Sequence, residues 1–173
     1  MAGRIFLLQM AGLPGAGKSA LARVIGHRTG AVVIDKDVLK TAALEAGAKE
    51  TLAGCIADEA FFALADHLLG QGLAVVLDSP SFYDTIPAKG SALAAKRGVP
   101  YYFIECVCAD RDELARRLRE RSRVQGQPGE ESLESSPTTL GPAEPYLRID
   151  TTQPLDQCLA LALDYLGLNG AEA

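Results

Sequence analysis

Along the chain, short unbroken apolar runs alternate with longer stretches in which apolar residues return every three or four positions. Five runs have the length and the β-branched or aromatic content of strands: residues 5–10 (IFLLQM), 31–34 (AVVI), 73–77 (LAVVL), 101–108 (YYFIECVC) and 146–149 (YLRI). Strands buried on both faces lose the polar alternation of a half-exposed sheet, so the pattern predicts an α/β fold with a parallel sheet covered by helices. Residues 18–28 place Leu21, Ala22 and Ile25 on one helical face and stop at Gly30, and residues 51–69 repeat the spacing with Ile56, Ala60, Phe61, Leu64 and Leu68. Residues 38–46, 87–97, 110–121 and 155–166 complete the helices. Asp37 is the N-cap candidate of the first of these and Asp110 of the third, where Glu113 stands at the capping-box position. With a helix after each strand, the C-terminal strand ends share one edge, where ligands of open α/β sheets bind.

One stretch breaks this rhythm. Residues 123–145 hold four of the nine prolines, three glycines and four glutamates with no apolar period, which predicts a long loop. Its length and place predict a lid over the ligand edge, spanning about 122–146 within a single domain covering 1–173.

Composition narrows the partners. A hydrophobic fraction of 48% and a charged fraction of 23% are those of a globular domain, able to remove roughly 70% of its unfolded surface from water. Seventeen Lys and Arg against 22 Asp and Glu leave a net charge of −5, so no overall field draws in a nucleic-acid backbone or an anionic membrane. No apolar run nears the ~20 residues of a membrane span, and the apolar segment of MAGRIFLLQMAG is too short for a secretory signal, so a cytoplasmic protein is expected. The four cysteines, Cys55, Cys106, Cys108 and Cys158, include no CxxC pair, and buried free thiols are expected. His27 and His67 have no partner at ligand spacing and receive no catalytic role.

Any phosphate must therefore be held locally, and residues 12–19 have the means. GLPGAGKS matches G-x-x-x-x-G-K-[ST] in full, directly after the first strand and at the start of the first helix. Glycines let backbone N–H groups turn inward around a phosphate, and the helix N-terminus adds partial positive charge. Gly12, Pro14, Gly15, Ala16, Gly17, Lys18, Ser19 and Ala20 are thus expected at a nucleotide, with Lys18 on the β- and γ-phosphates and Ser19 on Mg²⁺.

Acids and arginines define the rest. Asp35 and Asp37 follow the second strand, a pair suited to the water shell of Mg²⁺ or to taking the proton of an attacking hydroxyl. Asp78 closes the third strand after an apolar run, where a carboxylate is costly to bury without a cation, so it is a candidate for holding Mg²⁺ or orienting substrate. Phe82 and Tyr83, just beyond it, are candidates for apolar contact with a substrate. Arg111, Arg116, Arg117, Arg119, Arg121 and Arg123 concentrate six of the 17 basic residues ahead of the predicted lid. Arg117 and Arg121, four apart, share a helical face and could neutralise charge on a migrating phosphoryl group.

Taken together, GLPGAGKS, IDKD after the second strand, LDSPS after the third, ELARRLRERS after the fourth and the late LRIDT resemble the small P-loop kinases of the adenylate-kinase-like class. The likeness is to the subgroup called "AAA-like" ATP-binding kinases, with zeta-toxin, polynucleotide kinase and chloramphenicol phosphotransferase as relatives. The resemblance implies a five-stranded sheet of order 2-3-1-4-5 with ATP at the P-loop. It implies Asp37 as the base that activates an acceptor hydroxyl, Arg117 and Arg121 at the ATP phosphates, and the segment from Asp150 through Thr151 to Pro154 beside adenine. Here the loop after Arg123 is acidic and lacks arginine, and Lys40 is the nearest cation after Asp37, so a small neutral or cationic hydroxyl compound fits better than a nucleic-acid end. A regulatory nucleotide-binding module and a polynucleotide-end kinase stay open as alternatives, and the oligomeric state is not legible.

Overall fold

Four of the five strands run one residue past their apolar segments, and in three of them that extra residue is an aspartate. The computed structural model describes residues 4–121, 125–130, 132–135, 141–143 and 145–168. In chain order the elements are β1 (Leu7–Ala11), α1 (Lys18–Thr29), β2 (Val32–Asp35), α2 (Lys36–Glu45), α3 (Glu50–Gly70), β3 (Val75–Asp78), α4 (Thr85–Arg97), β4 (Tyr101–Val107), α5 (Arg111–Glu120), α6 (Ser132–Ser135), β5 (Leu147–Asp150) and α7 (Leu155–Tyr165). The sheet is wholly parallel, in the order β2-β3-β1-β4-β5. Asp35 and Asp78 lie opposite each other in register at the ends of β2 and β3.

Alternation along β1 feeds two cores. Leu8 and Met10 pack on one face with Ile25 of α1, Ile104 and Cys106 of β4 and Cys158 and Ala162 of α7, whereas Leu7 joins Phe61 and Leu69 of α3 and Leu93 of α4 on the other. All five residues of β1 are buried, as the central strand of a doubly covered sheet must be. The buried Gln9 on that strand is held by Tyr101, whose hydroxyl donates to its Oε1 at 2.8 Å. Among the described residues, no helix is long and apolar enough to cross a membrane.

Three expectations change. Asp35, not Asp37, caps α2: its carboxylate accepts from the Asp37 amide at 2.9 Å, because the strand runs to Asp35 and the helix begins at Lys36. Cys55 lies exposed on the outer side of α3, while Cys106, Cys108 and Cys158 are buried free thiols as expected. The stretch expected to be loop contains the four-residue α6, too short to leave a periodic signature. Asp110 does cap α5, accepting from the amides of Asp112 and Glu113, but the Glu113 side chain turns to Arg116 and Arg117.

Candidate active site

The P-loop follows β1 and is shaped by close main-chain approach. A Cβ on Gly12 would lie 2.3 Å from the Cys106 carbonyl oxygen, and one on Gly15 would lie 2.9 Å from that of Leu114; both glycines have positive φ, at 137° and 80°. Only glycine satisfies both demands. The turn is closed by the Ala16 amide donating to Leu13 O at 3.1 Å, with Pro14 and Ala16 buried beneath it. Gly17, at φ 82°, hands the chain to the N-terminus of α1.

Lys18 folds back over this loop, its ammonium donating to the carbonyls of Gly12 and Leu13, each at 2.9 Å. Burial holds its pKa below the ordinary lysine value against the pull of Asp78, Cys106 and Asp37. Asp78 is only 4% exposed. Burial raises its carboxyl pKa, and the Ser19 hydroxyl, which donates to it, and Lys18 oppose the rise. Ser19 and Asp78 thus meet as two hard oxygen donors at the strand edge, a donor chemistry that fits Mg²⁺. The Cys106 thiol beside them is pushed up to about 12 by burial, which leaves it protonated and inert.

Asp37 stands in the first turn of α2, and its carboxyl is raised to about 6, first by burial and then by Asp35 and Asp78, with Lys18 and Arg121 pulling the other way. The sequence candidates Lys18, Asp35, Asp37, Asp78 and Arg121 therefore form one charged cluster. Beside it opens a cavity of about 460 Å³ lined by Lys36, Asp37, Lys40, Glu50, Pro80 and residues 125–128. Neither lysine is uncompensated: Lys36 pairs with Asp58 and Lys40 with Glu50. Phe82 and Tyr83 do not line this cavity, and Tyr83 is 67% exposed.

A second cavity, of about 230 Å³, lies on the other side of the P-loop between Gly17, Ala20, Leu21, Arg117, Thr151, Gln153, Leu155 and Cys158. Thr151 organises it. Its hydroxyl donates to Ala16 O at 2.9 Å, and the Arg117 guanidinium donates to Thr151 Oγ1 and O at 3.2 and 2.9 Å while pairing with Glu113. Of the expected segment 150–154, Thr151 and Gln153 line this space. The Asp150 carboxylate turns to Thr152, and Pro154 stands exposed ahead of α7.

The arginines divide their duties. Arg116 lies between Glu113 and Glu120, Arg119 pairs with Glu130 at 2.7 Å, Arg111 donates to Leu133 O at 2.8 Å, and Arg121 donates to Pro128 O. Arg111, Arg119 and Arg121 thus tie Leu133, Glu130 and Pro128 to α5 and its C-terminal cap. Arg123 and much of the expected lid fall outside the described residues. Sequence reading missed Lys36, Lys40 and Glu50 at one cavity and Leu155 and Cys158 at the other, whereas residues 125–128 belong to the expected lid and Gln153 to the expected segment 150–154. The i, i+4 spacing of Lys36 and Lys40 around Asp37, and of Arg117 and Arg121, was the available signal for which faces would meet a ligand.

A family model described as an AAA domain, AAA_33, matches residues 7–138. No curated protein matches the chain in sequence. Among solved structures the chain is similar to the APS kinase of Mycobacterium tuberculosis in complex with AMPPNP and APS, at TM-score 0.72 and 18% identity over 95% of this chain and 99% of that one. A sugar kinase from Janibacter sp. HTCC2649 gives TM-score 0.69 at 18% identity, covering 96% and 97%. A gluconokinase from Sinorhizobium meliloti 1021 gives 0.64 at 18%, covering 95% and 93%. At these identities the likeness is one of fold.

Proposed function

As the chain belongs to the AAA domain family AAA_33, we propose that it is an ATP- and Mg²⁺-dependent phosphotransferase that moves the γ-phosphoryl group to a hydroxyl of a small molecule. One observation carries this reading. Asp37, at about 6, lies within charge reach of Lys18 on one side and lines a separate cavity on the other, so a phosphate cradle and an acceptor pocket share a single base. The APS kinase, sugar kinase and gluconokinase named above support the reaction class.

Gly12 to Ser19 would hold the triphosphate, with Lys18 leaving the carbonyls of Gly12 and Leu13 for the β- and γ-phosphates. Thr151, Gln153 and Leu155 would receive the base, and Arg117 would steady the nucleotide beside them. Ser19 and Asp78 would hold Mg²⁺, which when bound neutralises phosphate charge as a Lewis acid. Above pH 6 Asp37 is ionised and takes the proton of the acceptor hydroxyl, and Arg121, within charge reach of both Asp37 and Lys18, stands where it can offset charge on the transferred group. Among the described residues that line the pocket, both lysines, Lys36 and Lys40, are already paired, so an uncharged hydroxyl compound suits it best.

The test is incubation with γ-labelled ATP, Mg²⁺ and pooled hydroxyl-bearing metabolites, with mass spectrometry for phosphorylated products. A product that Lys18→Ala no longer makes is expected. Nucleotide binding with no product across neutral, cationic and oligonucleotide acceptors would point to a regulatory module instead.

A further inference from the structure

Residue Thr41, one turn along α2 from Asp37, makes two hydrogen bonds of different reach. Its hydroxyl donates to Asp37 O at 2.8 Å, the local i to i−4 bond common for threonine in helices. The same oxygen also accepts from the amide of Gly126, 85 residues away, at 2.8 Å. The approach is as close as a main chain allows: a Cβ on Gly126 would lie 2.7 Å from Asp37 O and 2.8 Å from Thr41 Oγ1. The other side of this segment is held by α5, through Arg121 on Pro128 O and Arg119 on Glu130. Residues 125–128 are thereby stretched across the cavity beside Asp37 and form its outer wall.

Building on the kinase reading, we propose that Thr41 and Gly126 form a latch that seats residues 125–128 over Asp37, completing the acceptor pocket and keeping bulk water from the phosphoryl group. Thr41 is a positioning residue: it acts through the wall it holds and through the Asp37 carbonyl. The side that closes the pocket comes from 85 residues further along the chain, so acceptor shape is set jointly by α2 and by part of the proline- and glycine-rich segment expected as a lid. Without the wall, water can enter in place of an acceptor. Its oxygen would then bond to the γ-phosphorus as the bond to the β-phosphate oxygen breaks, releasing ADP and inorganic phosphate with the water proton passing to Asp37.

Three variants and two readouts test this. Thr41→Val keeps the side chain's shape but removes the hydroxyl, Thr41→Ser keeps the hydroxyl, and Gly126→Ala adds the clashing carbon. In Thr41→Val and Gly126→Ala, hydrogen exchange of the residue-126 amide is expected to accelerate at least about tenfold, the loss of one ~1.4 kcal/mol contact. Hydrolysis of Mg·ATP without acceptor is expected to rise several-fold, while Thr41→Ser resembles wild type in both. Unchanged exchange in Thr41→Val and Gly126→Ala overturns the latch. Faster exchange with unchanged hydrolysis overturns its shielding role. A wild type that neither binds nor hydrolyses Mg·ATP sinks the kinase reading, and the exchange experiment still decides the latch.

Discussion

On the proposed nucleotide side of the cleft the main chain does most of the holding, and on the proposed acceptor side the side chains do it. Gly12 and Gly15 press backbone against the carbonyls of Cys106 and Leu114, and Lys18 and Thr151 tie themselves to loop carbonyls. Across the cleft, Lys36, Lys40 and Glu50 stand on the surfaces of α2 and α3 in pairs reaching from one helix to the other. Backbone packing tolerates no change of residue. Surface pairs contribute about 0–1 kcal/mol each and can be exchanged. On the proposed reading, the part of the reaction that handles phosphate is built rigidly and the part that selects the acceptor loosely.

The sharpest way to break this contrast is Gly12→Ala. With 2.3 Å between the new carbon and Cys106 O, the loop must move, and calorimetry should show nucleotide affinity lower by at least about a hundredfold, or ~3 kcal/mol. Retained affinity with a folded circular-dichroism spectrum would show that the loop yields more than its geometry implies.

Next in size is Asp37→Asn, on the boundary between the two sides. Phosphoryl transfer should fall by about 10²–10⁴-fold while nucleotide affinity holds. In wild type the transfer rate should climb with pH through about 6, as Asp37 loses its proton. A rate independent of pH between 5 and 8 would remove the residue from proton transfer.

The smallest effect is on stability. Because the folded protein raises the Asp37 carboxyl from its usual range, near 4, to about 6, it binds that proton more tightly than the unfolded chain does. Ionised Asp37 therefore costs stability above pH 6, and the cost disappears below pH 4. Discounted for partial exposure, this is about 1 kcal/mol, so Asp37→Asn should melt about 2–4 °C higher at pH 7.5 and no higher at pH 3.5. A site that destabilises its own fold where it works is a common mark of catalytic placement.

How much of this was legible in the chain differs between the two sides as well. GLPGAGKS is a local signal, and the loop it encodes is where the sequence places it. Strands were legible from apolar runs, yet Asp35 and Asp78 fell just outside them, because hydrophobic counting stops before a strand does when its last residue is charged. The cavity beside Asp37 was legible only in part: Asp37 and a lid over that edge were expected, but Lys36, Lys40, Glu50 and Pro80 join them only in three dimensions. The arginine cluster was visible while its use was not: Arg111, Arg119 and Arg121 hold Leu133, Glu130 and Pro128, and only the fold brings those partners within reach.

The two lysine pairs on α2 and α3 carry an evolutionary corollary. Glu50, 71% exposed, can be swapped, reversed in sign or shortened at a cost of about a few tenths of a kcal/mol, with neither core nor phosphate loop disturbed, whereas the half-buried Lys36–Asp58 pair is less free to change. If the cavity beside Asp37 holds the acceptor as proposed, new acceptors are reachable by single substitutions that selection need not first compensate, and a laboratory library confined to positions 40 and 50 should retain folding almost throughout while it diversifies what is phosphorylated.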